Sequence, residues 1–307
     1  MKNILLSSCA IALLGACGGS SGGTGPIIRP GGPGATTINQ ANTGFATQTS
    51  QVDPAPDGTT FTVSTDLVFV DDPSSTLAIN QRDVTITATD DPNKIQVTVN
   101  GTSFTATSTD NGNTYEGTVG GKSIIFAKDG VGDDVVVAVI GVANDPVLDN
   151  ATQGEVGILF YGYNTDPATL AARADANAVY QGDVAYFAGT SLGEVVQGSG
   201  NITLSADFAE MRISGNIGLD ANVINGTSGT IPIGVSATDI TGNSFATTLV
   251  VNPADFDGTS IDSTGLRGAF YGASGAETAG TFFITGRSVE GGVTETGVLQ
   301  GGFAASN

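Results

Sequence analysis

Ser191 lies in Gly189-Thr190-Ser191-Leu192-Gly193, the spacing of a nucleophile elbow. Such an elbow needs a strand–turn–helix setting and a general base. The chain has no histidine, so neither a Ser-His-Asp nor a Cys-His relay can be assembled. The commonest transition-metal ligand is missing for the same reason. No helical pattern follows Ser191, and the segment reads as a loop. Carboxylates are plentiful, with 30 Asp and Glu against 10 Lys and Arg and a net charge of −20. They concentrate in DGVGDD, residues 129–134, and in TDNGNTYE, residues 109–116. Oxygen ligands of this kind suit calcium, but neither stretch has the D-x-[DN]-x-[DN]-G spacing. Both read as turns, with weak calcium binding as the alternative. A carboxylate pair for glycoside hydrolysis is defined by a separation that sequence does not supply. Met1 and the two cysteines aside, only the six tyrosines and Met211 could ligate a haem iron. This inventory points to a protein that is not an enzyme, with no catalytic residues, no cofactor and no metal site.

The two cysteines, Cys9 and Cys17, raise a different chemistry. Lys2 precedes an apolar run over residues 4–14, broken by Ser7, Ser8 and Cys9. That run falls short of the roughly 20 residues that span a bilayer and suits a secretory leader. Leu14-Gly15-Ala16-Cys17 resembles the lipobox of bacterial lipoproteins. The resemblance implies cleavage after residue 16 and acylation of Cys17, which becomes the lipid attachment point. Cys9 leaves with the leader, so no intrachain disulfide can form. Several acyl chains give the durable hold that one does not. Gly18 stands where an Asp would imply retention at the inner membrane. The expected place is therefore the outer membrane, lipid-anchored and surface-exposed, with the bilayer as one partner.

Residues 17–55 are rich in Gly, Ser, Pro, Thr and Asn and read as a flexible tether. About 35 such residues give a mean reach of roughly 30 Å. The acidity argues against nucleic acid and anionic headgroups as partners. It leaves an unidentified protein or small molecule.

Elements that could carry a binding surface begin near residue 59. TFTVSTDLVFV places Phe61, Val63, Leu67 and Phe69 on one face, and DVTITAT repeats the alternation. Asn100-Gly101, Asn111-Gly112 and Gly120-Gly121 punctuate residues 94–128, predicting a four-stranded meander. DVVVAVIGV and VGILFYGY are apolar throughout and read as central strands. Asp166-Pro167 then predicts a short helix, the only one expected. After it come eight strand-like runs, the number that closes a small antiparallel barrel and removes its edges. The expected fold is all-β, with an antiparallel β-rich domain at 56–165, a short helical linker at 166–177 and an eight-stranded barrel at 178–307. Tyr161, Tyr163, Tyr180, Tyr186 and Phe187 bracket the boundary and are expected to pack the seam, with a ligand-contact patch as the alternative.

LRGAFYGASGAETAGTFFITG is similar to the signature G-x-F-[YF]-G-x-x-A-x-E-x-x-G-x-F of the transferrin-binding protein B barrel family. Factor H binding protein has a related barrel. Gly268, Phe270, Tyr271, Gly272, Glu277, Gly280 and Phe282 carry the likeness. There is one extra residue before Ala276, or none if Ala273 is the family alanine. Tyr180 and Gly182 resemble the first barrel strand, and Gly200, Asp207, Phe208, Ser214 and Gly215 the next hairpin. These residues are expected to be architectural: Gly268 and Gly272 on one strand face with Phe270, Tyr271 on the other, Glu277 at a turn. The resemblance implies a surface lipoprotein with a handle-like β domain before the barrel. It implies a non-catalytic binding module for a protein or small ligand, with iron or haem acquisition as one use. Family partners are held by variable loops and handle surfaces, so no ligand-binding residue transfers. The alternative is a structural or adhesive envelope lipoprotein without a discrete ligand.

Overall fold

The computed structural model describes residues 37–38, 58–70, 78–110, 112–131, 135–143, 154–173, 177–190, 196–256, 259–290 and 293–307. The leader, Cys17 and Ser191 lie outside the described residues. So does most of the 17–55 tether, of which Thr37–Ile38 is described, as a short strand.

The first sheet runs β1 (Thr37–Ile38), β2 (Thr60–Val70), β3 (Ala78–Ala88), β4 (Lys94–Val99), β5 (Thr102–Ser108), β6 (Thr114–Val119), β7 (Lys122–Val131), β8 (Val135–Ala143) and β9 (Gly154–Gly162). Each strand pairs with the next, and the sheet curls until β9 meets β2 at Val68–Val156, Phe69–Glu155 and Val70–Gly154. Alternation sends Phe61, Val63, Val84, Ile86, Val97 and Phe104 inward to one core. Asn100 (φ 50°) and Gly101 (φ 72°) make one two-residue turn, Gly120 (φ 57°) and Gly121 (φ 77°) another. The middle turn is longer than expected, joining strands that end at Ser108 and resume at Thr114. There the Ser108 hydroxyl accepts the Gly112 N–H at 2.6 Å, and the Asp110 carboxylate accepts both the N–H and the hydroxyl of Thr114. In TDNGNTYE, turn chemistry thus occupies Asp110.

Asp166 caps α1 (Pro167–Ala171), accepting the Ala168 N–H at 2.9 Å. The second sheet follows as β10 (Asn177–Thr190), β11 (Val196–Asp207), β12 (Arg212–Asp220), β13 (Thr230–Thr241), β14 (Ser244–Thr247), β15 (Leu249–Val250), β16 (Ser260–Tyr271), β17 (Glu277–Glu290) and β18 (Val293–Ser306). β14 and β15 are one strand interrupted at Thr248, so eight strand positions close the circuit, β12 pairing with β13 and β10 with β18. The eight-stranded antiparallel barrel expected from the alternation is present.

One expectation is corrected. A second short helix, α2 (Ala221–Asn225), leaves β12, its cap Asp220 accepting the Asn222 N–H and Gly226 (φ 71°) ending it. Cap and terminal glycine enclose only five residues, too few for a helical hydrophobic period to register. A 3-10 turn at Pro253–Phe256 also escaped the pattern.

The two sheets share an apolar seam. Val135, Val139, Ile158 and Phe160 of the first sheet meet Ala185, Phe187, Ala269, Tyr271, Ala279 and Ala304 of the barrel. Both faces of β9 are therefore buried, which explains its continuous apolar run. Backbone bonds fasten the seam's end: Thr165 N–H donates to the Phe270 carbonyl at 2.9 Å, and Gly272 N–H to that of Tyr163 at 3.2 Å.

Candidate functional site

The barrel interior is built by pairing large rings with bare backbone. Along one row of neighbours stand Phe303, Gly280, Gly268 and Phe245. A Cβ on Gly280 would lie 2.7 Å from the Phe303 ring, and one on Gly268 would overlap that of Phe245. Gly198, Tyr186, Gly301 and Phe282 form a second such row. Phe270 is the hub, with ring centroids 5.5 Å from Tyr180, 5.5 Å from Phe208 and 5.6 Å from Phe245.

One end of the barrel is plugged. Leu170 of α1 joins the core there. Arg173 lies over the Phe208 ring at 4.4 Å and donates to the Tyr180 hydroxyl at 2.8 Å and the Gly275 carbonyl at 2.9 Å. The Tyr180 hydroxyl donates to that carbonyl at 2.6 Å.

Among the described residues the other end is open. A cavity of about 600 Å³ lies in the mouth, walled by Ala188, Val196, Ile261, Ile284, Val298 and Leu299 from the strands, by Val223 and Ile224 of α2 and by Phe256 of the 3-10 turn. Gly189, Gly286 and Gly297 form its barest stretch, and Gly286 and Gly297 are paired across β17 and β18. Thr259 and Ser288 supply its side-chain hydroxyls, and among the described residues no charged side chain lines it. Nearby, the Tyr186 hydroxyl donates to the Asp220 carbonyl at 3.0 Å. Burial, then the negative charge of Asp220, pushes the Tyr186 phenol up to about 12.

The signature residues divide by face. Phe270 and Phe282 enter the barrel core, while Tyr271 points to the seam, as strand alternation requires. Gly272 differs from expectation: it lies beyond the end of β16 with φ 82°, so a turn rather than barrel curvature requires it. Glu277 opens β17 opposite Tyr271. The aromatic group is also corrected. Tyr180 and Tyr186 are inside the barrel, Tyr161 and Tyr163 inside the first sheet, and only Phe187 of the five joins the seam. Adjacent residues Tyr186 and Phe187 must face opposite ways on a strand. That signal was available and outweighed by proximity in sequence. All six tyrosines are buried. Among the described residues no group of three or more Cys, Asp or Glu converges. Of DGVGDD, Asp129 sits at a register shift in β7, and residues 132–134 lie outside the described residues. Reasoning from sequence missed the mouth cavity altogether, because its wall is assembled from segments far apart in the chain.

Residues 173–307 match the family described as the C-lobe and N-lobe beta barrels of Tf-binding protein B. The match covers the barrel and not the first sheet, and over it the chain is similar to the barrels of transferrin-binding protein B. No curated protein matches the chain. Among solved structures, isotype 1 transferrin binding protein B from serogroup B Neisseria meningitidis is 17% identical with a TM-score of 0.43, over 78% of this chain and 43% of that one. A double mutant of transferrin binding protein B from Haemophilus parasuis Hp5 is 14% identical with a TM-score of 0.46, over 78% and 44%. The chain spans less than half the length of these matched structures.

Proposed function

We propose that the chain is a non-catalytic lipoprotein of the outer-membrane surface, held by acylated Cys17, and a binding module for a protein or small ligand. The observation that carries this reading is the family barrel at 173–307, with its plugged and open ends. In this reading residues 1–16 are the leader, 17–55 the tether, 56–165 the handle-like domain and 166–177 the linker. Transferrin itself is not assigned as partner, since the chain spans less than half of the receptors it resembles. Haem is disfavoured as ligand: every tyrosine is buried, and Met211 packs against the barrel core.

The test has two arms. Labelled palmitate should enter the full chain and be lost in Cys17→Ala; equal labelling of both would overturn the anchor. Residues 17–307 with Cys17→Ser, immobilised, should retain a specific protein or small molecule from the native surroundings. Turnover of a substrate, abolished by one Asp or Glu substitution, would overturn the non-catalytic reading. Loss of surface attachment on deletion, with nothing captured, would replace the binding module with an adhesive role.

A further inference from the structure

We infer that the barrel mouth is a binding site for an uncharged, predominantly apolar small molecule. The inference rests on the binding-module reading and names the ligand class.

Four observations carry it. First, the size, about 600 Å³, is that of a small-molecule pocket, and barrel mouths are a favoured place for one. Second, the lining side chains are hydrocarbon apart from two hydroxyls, Thr259 and Ser288. A mostly apolar lining with a few polar groups favours an apolar occupant. Third, among the described residues no Lys or Arg lines the site to receive a carboxylate or phosphate, and no Asp or Glu to receive an ammonium. A charged ligand would lose its hydration without compensation. The net charge of −20 further opposes an anion.

Fourth, the site has room where a side chain would normally stand. A Cβ on Gly297 would meet only two carbonyl oxygens, each at 3.9 Å. The barrel's interior glycines differ, because there neighbouring rings or carbonyls already fill the space. Packing therefore does not require glycine at 297, whereas an open cavity does. Val289, 71% exposed at the rim, is apolar surface that an occupant would cover. Val223 and Ile224, half-buried against the same core, form the helical part of the wall.

The test uses residues 17–307 with Cys17→Ser, which retain every described strand, and the neutral fluorophore N-phenyl-1-naphthylamine. A saturable, blue-shifted enhancement at one probe per chain is expected. Dodecanol should displace it at least about tenfold more effectively than dodecanoate at neutral pH, a difference of about 1.4 kcal/mol. Gly297→Leu should weaken probe binding by at least about tenfold with thermal unfolding unchanged. Val289→Asp, at an exposed position, should weaken it by roughly threefold and guards against a folding defect in the first variant. The absence of saturable binding overturns the inference, as does parental affinity in both variants or equal displacement by dodecanoate. A protein captured by the immobilised chain without any probe binding would overturn this inference alone and leave the binding-module reading intact.

Discussion

Both sheets are antiparallel meanders that curl back on themselves, but they close by different means. In the barrel, β10 and β18 pair continuously from Gln181–Ser306 to Thr190–Gly297. Its pairing thins along β14 and β15, each joined to β13 by two pairs, and there Thr264 bridges to β15, its hydroxyl accepting the Leu249 N–H and donating to the Leu249 carbonyl, both at 3.0 Å. The first sheet closes over three pairs between β2 and β9 and narrows to two between β5 and β6. Side chains complete it. The Thr65 hydroxyl donates to the Ile158 carbonyl at 2.8 Å. Arg82 donates to Glu155 from Nη2 at 2.6 Å and from Nε at 3.1 Å, and Asn100 reaches the same carboxylate at 3.4 Å. A ladder of backbone bonds resists local opening, whereas closure through a few side chains opens at lower cost. The barrel is thus the rigid scaffold and the first sheet the more adaptable body.

The sharpest way to break this contrast is Gly280→Val. The new Cβ would overlap the Arg267 carbonyl and crowd the Phe303 ring. It should cost at least about 3 kcal/mol and leave no cooperative barrel unfolding by circular dichroism. Phe270→Ala removes the hub of the aromatic cluster and should cost about 3–5 kcal/mol in chemical denaturation. Arg82→Ala tests the other body. It strips Glu155 of its charged partner and should cost roughly 1–3 kcal/mol. The loss should show as faster exchange at β2 and β9 with the barrel unchanged.

Tyr186 supplies a titration that belongs to the barrel alone. Its phenol is held up to about 12 against an ordinary 10.0. The folded state keeps this proton after the unfolded chain has released it. Stability is therefore undiminished below pH 10 and falls as pH rises from 10 through 12. Tyr186→Phe loses the bond to the Asp220 carbonyl, about 1 kcal/mol at pH 8. That deficit should shrink between pH 10 and 12 when thermal midpoints are compared. The smallest effect is expected at Arg287, paired with Asp262 at 2.7 Å. Arg287 holds the Asp262 carboxyl below its ordinary value, but both groups are solvated. Arg287→Ala should leave the melting temperature unchanged.

Strands and turns of both sheets were legible because their signals are local. Phe270 and Tyr271 sort to opposite faces by alternation, and Asn100-Gly101 and Gly120-Gly121 mark their turns without tertiary help. The likeness of Gly268 to Phe282 to the family signature was readable for the same reason. Closure was not legible: no period in the chain couples Arg82 to Glu155 or Thr264 to Leu249, since each pair meets only after folding. The mouth was hidden for a further reason. Gly297 looks like the other barrel glycines in sequence, and only the space around it separates an architectural glycine from one that leaves room.

Hydrogen exchange on residues 17–307 with Cys17→Ser tests the central contrast most directly. The account predicts that amides of β10, β16, β17 and β18 exchange only through global unfolding. Those of β2 and β9 at their junction, and of β5 and β6, should exchange through smaller openings that leave the barrel protected. Equal protection of both sheets, or a barrel that opens first, would contradict it.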